Sequence, residues 1–454
     1  MAEPVDVVVI GLGVGGEDVA GSLAQAGLHV VGVEEELVGG ECPYWGCIPS
    51  KMIIRAANLL QEARRIPGTA GEATVTPDWA PVAARIREQA TADWDDTIAV
   101  ERLEGHGGVF VRGRAHIEGP GRVSVGDTEY EVGRGIVIAA GTSPAIPPIP
   151  GIDEVDYWTN RDAIRTRELP GSLTVLGGGA IGLELGQAFS RFGVDVTIVE
   201  ALDRLAPLEE PEVGAVLADA FTAEGIEVHA GIVCEKVIAD GPDTIVELSD
   251  GSNVRSERLL VATGRVTDLS GLGVANVGID EGARFVTVDE RMRAVENVWA
   301  IGDITGQGLF THLALHQSKI AVADILGERL AGADHPPIPR VTFTDPEVGS
   351  VGVTEEAARA AGLVVATSVA EVPSTARGWM HGPGNEGVIK LVADVERDVL
   401  VGATSAGPHG GEVLSMLALA VHAEVPIGRL RTMIYAYPTF HRGVEDALRE
   451  LETG

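Results

Sequence analysis

Apolar positions in this chain fall in short β-branched runs that stop on glycine. Val7–Ile10 ends on Gly11, a helix is expected over Glu17–Ala26, and Val30–Glu34 reads as the next strand. A short apolar run, a turn signal and a helical stretch, repeated, suggest strand–helix–strand units. Ile136–Gly141 closes this first block, and Pro144, Pro147, Pro148 and Pro150 mark an extended linker. The plan then repeats, from Leu173 through Val196–Glu200 to Leu259–Gly264. A helical stretch over Leu313–Leu330 precedes a second linker, His335–Pro339. The last block mixes a strand-like segment, Gly387–Val392, with a helical one, Glu412–His422. The blocks expected are 1–150, 151–267, 268–335 and 336–454, with the first two a pseudo-repeat.

Composition narrows the class. With 454 residues, 45% apolar and 22% charged, the chain has the make-up of a globular protein of about three domains. A net charge of −33 argues against a binder of nucleic acid or anionic membrane. No apolar run reaches the roughly 18 residues of a membrane span. The acidic start, Met1–Asp6, lacks the basic flank of a secretory signal. A cytoplasmic, reducing setting is therefore expected, in which the 3 cysteines are more apt to react than to staple.

Two turns carry cofactor chemistry. Gly11-x-Gly13-x-x-Gly16 follows a strand and opens a helix. Gly11 permits the tight turn, Gly13 lets backbone approach a pyrophosphate, and Gly16 lets helix and strand pack closely. The helix start then offers free N–H groups and a positive dipole end. Glu34, closing the next strand, has the spacing of an acceptor for ribose hydroxyls. Gly177-x-Gly179-x-x-Gly182 and Glu200 repeat the arrangement. A carboxylate at Glu200 favours NAD(H) over NADP(H), because it bonds a 2′-hydroxyl and repels a 2′-phosphate; Arg204, close in sequence, works against that preference.

Cys42-Pro-Tyr-Trp-Gly-Cys47 places four residues between two cysteines. A regular helix rises roughly 7.5 Å over those five steps, whereas a disulfide needs Cα atoms within about 7 Å. If the two are bonded, the segment is distorted, as Gly46 permits and Pro49 encourages, while Pro43 suits the first turn of a helix. A helix N-terminus and Lys51 would favour the reactive thiolate. The plain alternatives are two buried thiols or half of a metal site, and no further ligand lies close in sequence. Cys234, within Ile232–Glu235, reads as a strand residue that packs.

These residues together resemble the class I pyridine nucleotide–disulfide oxidoreductases, over essentially the whole chain. Cys42-x4-Cys47-x3-Lys51 is similar to the redox-active helix. Ile138–Gly141 and Val261–Arg265 are similar to two A-T-G strands, with Ala140 in place of the usual Thr. Ala300–Asp303, Leu309–His312 and Val341–Gly352 resemble the ribityl-binding segment, the stretch beside the flavin and the start of the dimerisation domain. The resemblance implies an α/β chain with two Rossmann-like domains, for FAD (1–150 and 268–335) and NAD(P) (151–267). It adds an α+β dimerisation domain (336–454), hence a homodimer, and a small-molecule electron acceptor.

It also implies roles. Cys47 would exchange electrons with the flavin, Cys42 would be the interchange thiol, and Lys51 would pair with Glu184 near the flavin, where a cation stabilises arriving charge. Further cofactor contacts would come from Gly15, Gly40, Lys51, Ala115, Ala140, Gly141, Ala180, Ile181, Gly264, Gly302, Asp303, Thr311 and His312. The plain readings are a helix-surface acid for Glu184 and a turn cap for Asp303.

One departure bears on the acceptor. Thiol–disulfide members carry His-Pro-Thr-x-x-Glu near the C-terminus, reaching across the dimer; here Tyr437 stands for the His and Arg442 for the Glu. Tyrosine, with a pKa near 10, is a poor base at neutral pH. Such catalysis is worth roughly 10²–10⁴-fold, so glutathione- or lipoamide-like turnover is expected to be weak unless another group substitutes. His441 is a candidate: if the segment starts a helix, it lies one turn after Tyr437 on the same face. Tyr437 is either a substrate-contacting hydroxyl or a buried aromatic at the dimer contact. Transhydrogenase and mercuric-reductase branches share Tyr-Pro-Thr, but the former lack the cysteine pair and the latter use later cysteines, which this chain lacks after Cys234. Tyr44 and Trp45 either narrow access to Cys42 or simply pack. The leading expectation is an FAD-dependent, NADH-preferring reductase with a working Cys42–Cys47 disulfide. The alternatives are a flavin-only diaphorase or transhydrogenase-like enzyme with a bystander disulfide, a lipoamide-dehydrogenase-like subunit of a larger complex, and a non-catalytic redox sensor.

Overall fold

A computed structural model describes residues 2–328 and 337–452. Its contacts gather into two compact units. One holds the residues up to Pro49, Ala84–Ala145 and those from Arg265 on; the other holds Ser50–Ala83, Ile146–Gly264 and those from Pro337 on. No helix among the described residues is long and apolar enough to cross a membrane.

In the first unit, strand Glu3–Ile10 lies between Val30–Glu34 and Thr128–Ile138, parallel to both. Val109–Arg112 extends the sheet on one side and Val298–Ala300 on the other. Val7 and Val9 enter one core while Val8 and Ile10 enter another. A strand buried on both faces must be apolar at every position, which is why the sequence reads as an unbroken valine run. Helix Val14–Gln25 covers one face together with helix Thr311–Ile325. A Cβ on Gly15 would meet Ala314 at 3.2 Å, so that glycine lets the two helices approach.

The second unit repeats the plan with a parallel sheet of five strands. Ser172–Leu176 pairs with Asp195–Glu200 and Arg258–Val261. Helix Ala180–Arg191 follows the first of these strands. A five-stranded antiparallel sheet, Arg340–Thr342 to Val399–Gly407 in its C-terminal part, carries helices Gly410–His422 and Gly443–Glu450. The α/β class expected from the strand–helix alternation is the class observed.

Boundaries moved by a few residues. The first helix begins at Val14 rather than Glu17, with Gly13 as its N-cap, because Gly15 and Gly16 sit inside the first turn. The strand expected from Gly387 runs Val388–Asp394, and the helix expected from Glu412 starts at Gly410. The stretch Leu313–Leu330 is helical over Thr311–Ile325. Leu330, His335 and Pro336 lie outside the described residues.

Candidate functional site

The two glycine turns have the same construction. Gly11 and Gly177 have φ of +89° and +111°, the left-handed region that favours glycine. A Cβ on Gly16 would lie 2.0 Å from Gly11 O, and one on Gly182 2.1 Å from Gly177 O. These glycines are fixed by the fold's own packing. Gly13 and Gly179 differ: a Cβ there would meet no protein atom within 4 Å. Both are N-caps with extended backbone, φ −61° and −84°, that any residue adopts. Neither backbone strain nor internal packing therefore demands a glycine at these two positions, and each leaves open space in front of a helix N-terminus.

The acids that close the second strands are tied into the same turns. Glu34 Oε2 accepts the Leu12 N–H at 2.8 Å and Oε1 the Glu36 N–H at 2.8 Å. Glu200 Oε2 accepts the Gly178 N–H at 2.6 Å and Oε1 the Leu202 N–H at 2.7 Å. Each carboxylate thus props its glycine turn and keeps further lone pairs for a ligand. Burial pushes the Glu34 carboxyl above the ordinary range, against those N–H bonds. A cleft opens beside Gly11, Glu34, Ala115, Ala140 and Gly141. Arg114 and Asp268 line it too and pair with each other.

Asp303 lies in a polar chain that sequence reading missed. Thr142 Oγ1 donates to Asp303 Oδ2 at 3.1 Å and accepts from Arg265 Nε at 2.7 Å. Arg265 stands 3.6 Å from Glu41. Burial raises the Asp303 carboxyl, with Arg265 and Thr142 opposing. The neighbouring Gly302 donates its N–H to buried Gln317 at 2.7 Å. Thr142 follows the A-T-G-like strand and Arg265 ends the second one; their positions beside the motifs were the available signal.

The cysteine segment is two helices rather than one. A single turn, Glu41–Tyr44, stops at Trp45, and helix Cys47–Arg64 starts afresh. Pro43 and Pro49 each take the third position of their helix, where no intrahelical acceptor awaits an N–H. The break is held by packing. Tyr44 and Trp45 are buried, and Trp45 stacks on Trp94 at 5.5 Å. Gly40 lies so close to Gly13 that a Cβ would meet its Cα at 2.8 Å, which joins this segment to the first glycine turn. Cys42 is half-buried and Cys47 exposed. Cys47 Sγ stands 3.4 Å from Thr311 Oγ1. Both residues begin their helices, so two helix N-termini meet at this sulfur, a setting that favours negative charge. His312, next along, is exposed and stacks on Phe310 at 5.3 Å. Cys234 begins a different strand, and burial pushes its thiol up to about 11.

Lys51 lies one turn along the helix from Cys47. Its Nζ is 2.8 Å from Glu184 Oε2, and it sits 4.6 Å from the centre of the Phe343 ring. The Glu184 side chain is only 7% exposed. Its second oxygen accepts the Phe343 N–H at 2.9 Å. Glu184 is therefore a buried acid with both oxygens engaged, which excludes the reading as a helix-surface acid. Ala180 and Ile181 are exposed at the start of the same helix, and Gly264, three residues past strand Arg258–Val261, has φ of +124°.

The C-terminal expectation needs correction. Tyr437 does not start a helix: it lies in a turn, followed by the extended Thr439 and a 3₁₀ turn, Phe440–Arg442. Pro438 and the extended Thr439 interrupt the helical path, so His441 does not share a helix face with Tyr437. Tyr437 is 65% exposed, with the Arg442 guanidinium 5.2 Å from its ring centre. His441 is half-buried, and its Nε2 lies 3.4 Å from Thr439 Oγ1.

Residues 5–323 match the family model described as pyridine nucleotide-disulphide oxidoreductase, and residues 338–448 match that family's dimerisation domain. A dihydrolipoyl dehydrogenase from Chlorobaculum tepidum is 34% identical over 461 residues, covering 98% of this chain and 97% of that one. A mercuric reductase from Bacillus cereus is 29% identical over 449 residues, covering 98% of this chain and 71% of that one. The HOCl-induced flavoprotein disulfide reductase RclA from Escherichia coli superimposes with a TM-score of 0.85 at 27% identity, covering 98% of this chain and 99% of that one. LpdA from Mycobacterium tuberculosis gives a TM-score of 0.84 at 26% identity, with 99% of both chains covered.

Proposed function

Because the chain belongs to the class I pyridine nucleotide–disulfide oxidoreductases, we propose that it is an FAD-dependent, NADH-preferring reductase that passes electrons through Cys42 and Cys47 to a small-molecule acceptor. The observation that carries this reading is the setting of Cys47: exposed, at a helix N-terminus, 3.4 Å from Thr311, with the paired Lys51 one turn on.

The residues fit the cofactors. The open space at Gly13 and Gly179 is what a pyrophosphate against backbone requires, while the other glycines are used up by packing. FAD would be held by the Gly11–Gly16 turn, Glu34 and Asp303, with Thr142 and Arg265 setting the Asp303 carboxylate. NAD(H) would be held by the Gly177–Gly182 turn and Glu200. Arg204 is committed elsewhere: Nη1 donates to Asp203 at 3.1 Å and Nη2 to Pro207 O at 3.2 Å. This supports NADH, since the guanidinium close in sequence to Glu200 already bonds its own loop through both Nη atoms and the turn carries a carboxylate.

Bound FAD supplies a two-electron station between nicotinamide and disulfide. The chain's residues do the rest. The Lys51 ammonium, paired with Glu184 at 2.8 Å, favours negative charge arriving beside it. Opening the Cys42–Cys47 bond takes two electrons and one proton, leaving Cys42 as a thiol and Cys47 as a thiolate; Cys42 then meets the acceptor. Tyr437 is a poor carrier for that proton, which supports an acceptor unlike a simple dithiol or disulfide. The 1–150 plus 268–335, 151–267 and 336–454 division, a pairing of two copies through the last block, and a reducing cytoplasmic setting belong to the same reading. Acceptor turnover by Cys47→Ser tests it: loss is expected, and full retention would transfer the function to a flavin-only diaphorase. Replacement of the His and Glu by Tyr437 and Arg442 is what favours that second reading.

A further inference from the structure

Lys51 and Glu184 are held by a buried polar ladder that no motif announces. Along helix Ala180–Arg191, the side chains of Glu184, Gln187 and Arg191 occupy one face at spacings of three and four. All three are buried, Arg191 being 2% exposed. Each grips the segment Phe343–Asp345. Glu184 accepts the Phe343 N–H at 2.9 Å. Gln187 accepts the Asp345 N–H at 2.8 Å and donates to the Asp345 carbonyl at 2.7 Å. Arg191 donates to the Asp345 carboxylate at 2.8 Å.

The cysteine helix meets the same ladder at a regular interval. Lys51, Asn58 and Arg65 are seven residues apart, close to two helical turns, and fall on one stripe, Arg65 being the first residue past the helix end with its N–H still bonded to Gln61 O at 3.1 Å. Lys51 pairs with Glu184 at 2.8 Å, Asn58 accepts from Arg191 at 2.5 Å, and Arg65 reaches the Asp345 carboxylate at 2.9 Å. Glu224 takes the rest of the Arg191 guanidinium in a two-pronged bond, 2.7 and 2.5 Å. Arg191 thereby touches two carboxylates and, through the Asn58 amide, the cysteine helix at once. The paired charges resist displacement together, because removing one partner strands a buried charge.

The Phe343–Asp345 segment has two jobs at Lys51. Its backbone N–H fixes Glu184, and its Phe343 ring stands under the ammonium at 4.6 Å. A cation over an aromatic face is attracted to it. We infer that Arg191 and Asp345 are positioning residues: they lock the Phe343–Asp345 segment so that Glu184 and Phe343 hold the Lys51 ammonium in one place. This rests on the proposed function only where Lys51 is taken to act on the flavin; the lock itself concerns residues of the chain.

The test is acylation of Lys51 by N-hydroxysuccinimidyl acetate in the full-length protein, with flavin bound and after its removal. Peptide mass spectrometry reads the Lys51 rate against exposed Lys319 as internal reference. Asp345→Asn keeps the side-chain volume and removes the charge that Arg191 and Arg65 share. It is expected to raise the Lys51-to-Lys319 ratio about fivefold, equivalent to about 1 kcal/mol at 1.4 kcal/mol per tenfold. Phe343→Leu keeps the backbone N–H and removes the ring; it is expected to raise the ratio as well, and serves if Asp345→Asn fails to fold. An unchanged ratio in the folded variants, with only a lower unfolding midpoint, would reduce the ladder to a structural staple and overturn the inference. The flavin midpoint potential, measured on the same variants, separates the two ideas. A raised ratio with an unmoved potential upholds the lock and removes Lys51 from the proposed electron path.

Discussion

Alanine at Gly13 and at Gly16 should have opposite consequences, although the two glycines share one motif. At Gly16 the added methyl would sit 2.0 Å from Gly11 O and 3.0 Å from the Ala139 side chain. Helix and strand must then separate, and overpacking of this kind costs roughly 1–3 kcal/mol or more. At Gly13 the methyl meets no protein atom within 4 Å, and φ of −61° suits alanine. The gain in unfolded-state entropy, about 0.4–1 kcal/mol, is offset by the poorer N-cap, leaving stability changed by less than about 0.5 kcal/mol. The space that the methyl fills is where backbone is expected to meet pyrophosphate. A similar overpacking cost there, roughly 1–3 kcal/mol, weakens FAD binding by about 5- to 150-fold. Urea denaturation of flavin-free protein reads the first quantity, and fluorescence titration with FAD reads the second. Gly13→Ala that destabilises as much as Gly16→Ala while binding FAD normally would refute the division of labour between packing and ligand.

Other outcomes follow from the same geometry. Gly179→Ala should lower NADH affinity with little effect on stability, as Gly13→Ala does for FAD, in equilibrium titrations of each nucleotide. Glu200→Ala removes a charge-assisted hydrogen bond, worth roughly 1.5–3 kcal/mol. It should cut the NADH-over-NADPH ratio of kcat/KM by about tenfold or more; an unchanged ratio would contradict the assignment. Asp303, whose carboxyl burial raises, binds more protons folded than unfolded just above the ordinary carboxylate range, so its ionisation subtracts stability as pH rises. Asp303→Asn should therefore stabilise flavin-free protein at neutral pH, with the advantage fading as pH falls through the raised range; urea midpoints at several pH values check the sign. Tyr437→His, which supplies the missing proton carrier, should raise turnover with dihydrolipoamide or a small disulfide at least tenfold, less than the roughly 10²–10⁴-fold of general acid–base catalysis because Arg442 still stands for the orienting Glu.

The valine runs and the glycine turns were legible because each is a local device: a twice-covered strand needs apolar residues throughout, and a tight turn needs φ above zero at Gly11 and Gly177. The α/β class follows from them, whereas the family resemblance needed the Cys42-x4-Cys47-x3-Lys51 segment and the later motifs as well. Spacing also picked out Glu34 and Glu200, but not their second task of holding the turn amides of Leu12 and Gly178. Gly15 was grouped with the cofactor glycines, and its missing side chain turns out to make room for Ala314. The Tyr437–His441 pairing failed because a helical spacing was assumed across Pro438 and an extended Thr439. Arg191, Gln187 and Asp345 could not be read at all. Their bonds to one another and to Asn58 join residues more than 100 positions apart, and a buried arginine looks the same in sequence as a solvated one.

Anaerobic titration of the holoprotein with NADH, followed by the flavin spectrum, tests most directly whether Cys42 and Cys47 belong to the electron path. Two electrons for the flavin and two for the disulfide predict uptake of four per subunit, with a long-wavelength thiolate band at the halfway stage. Uptake of two, with immediate bleaching of the flavin and no such band, would contradict the account and make the cysteines bystanders.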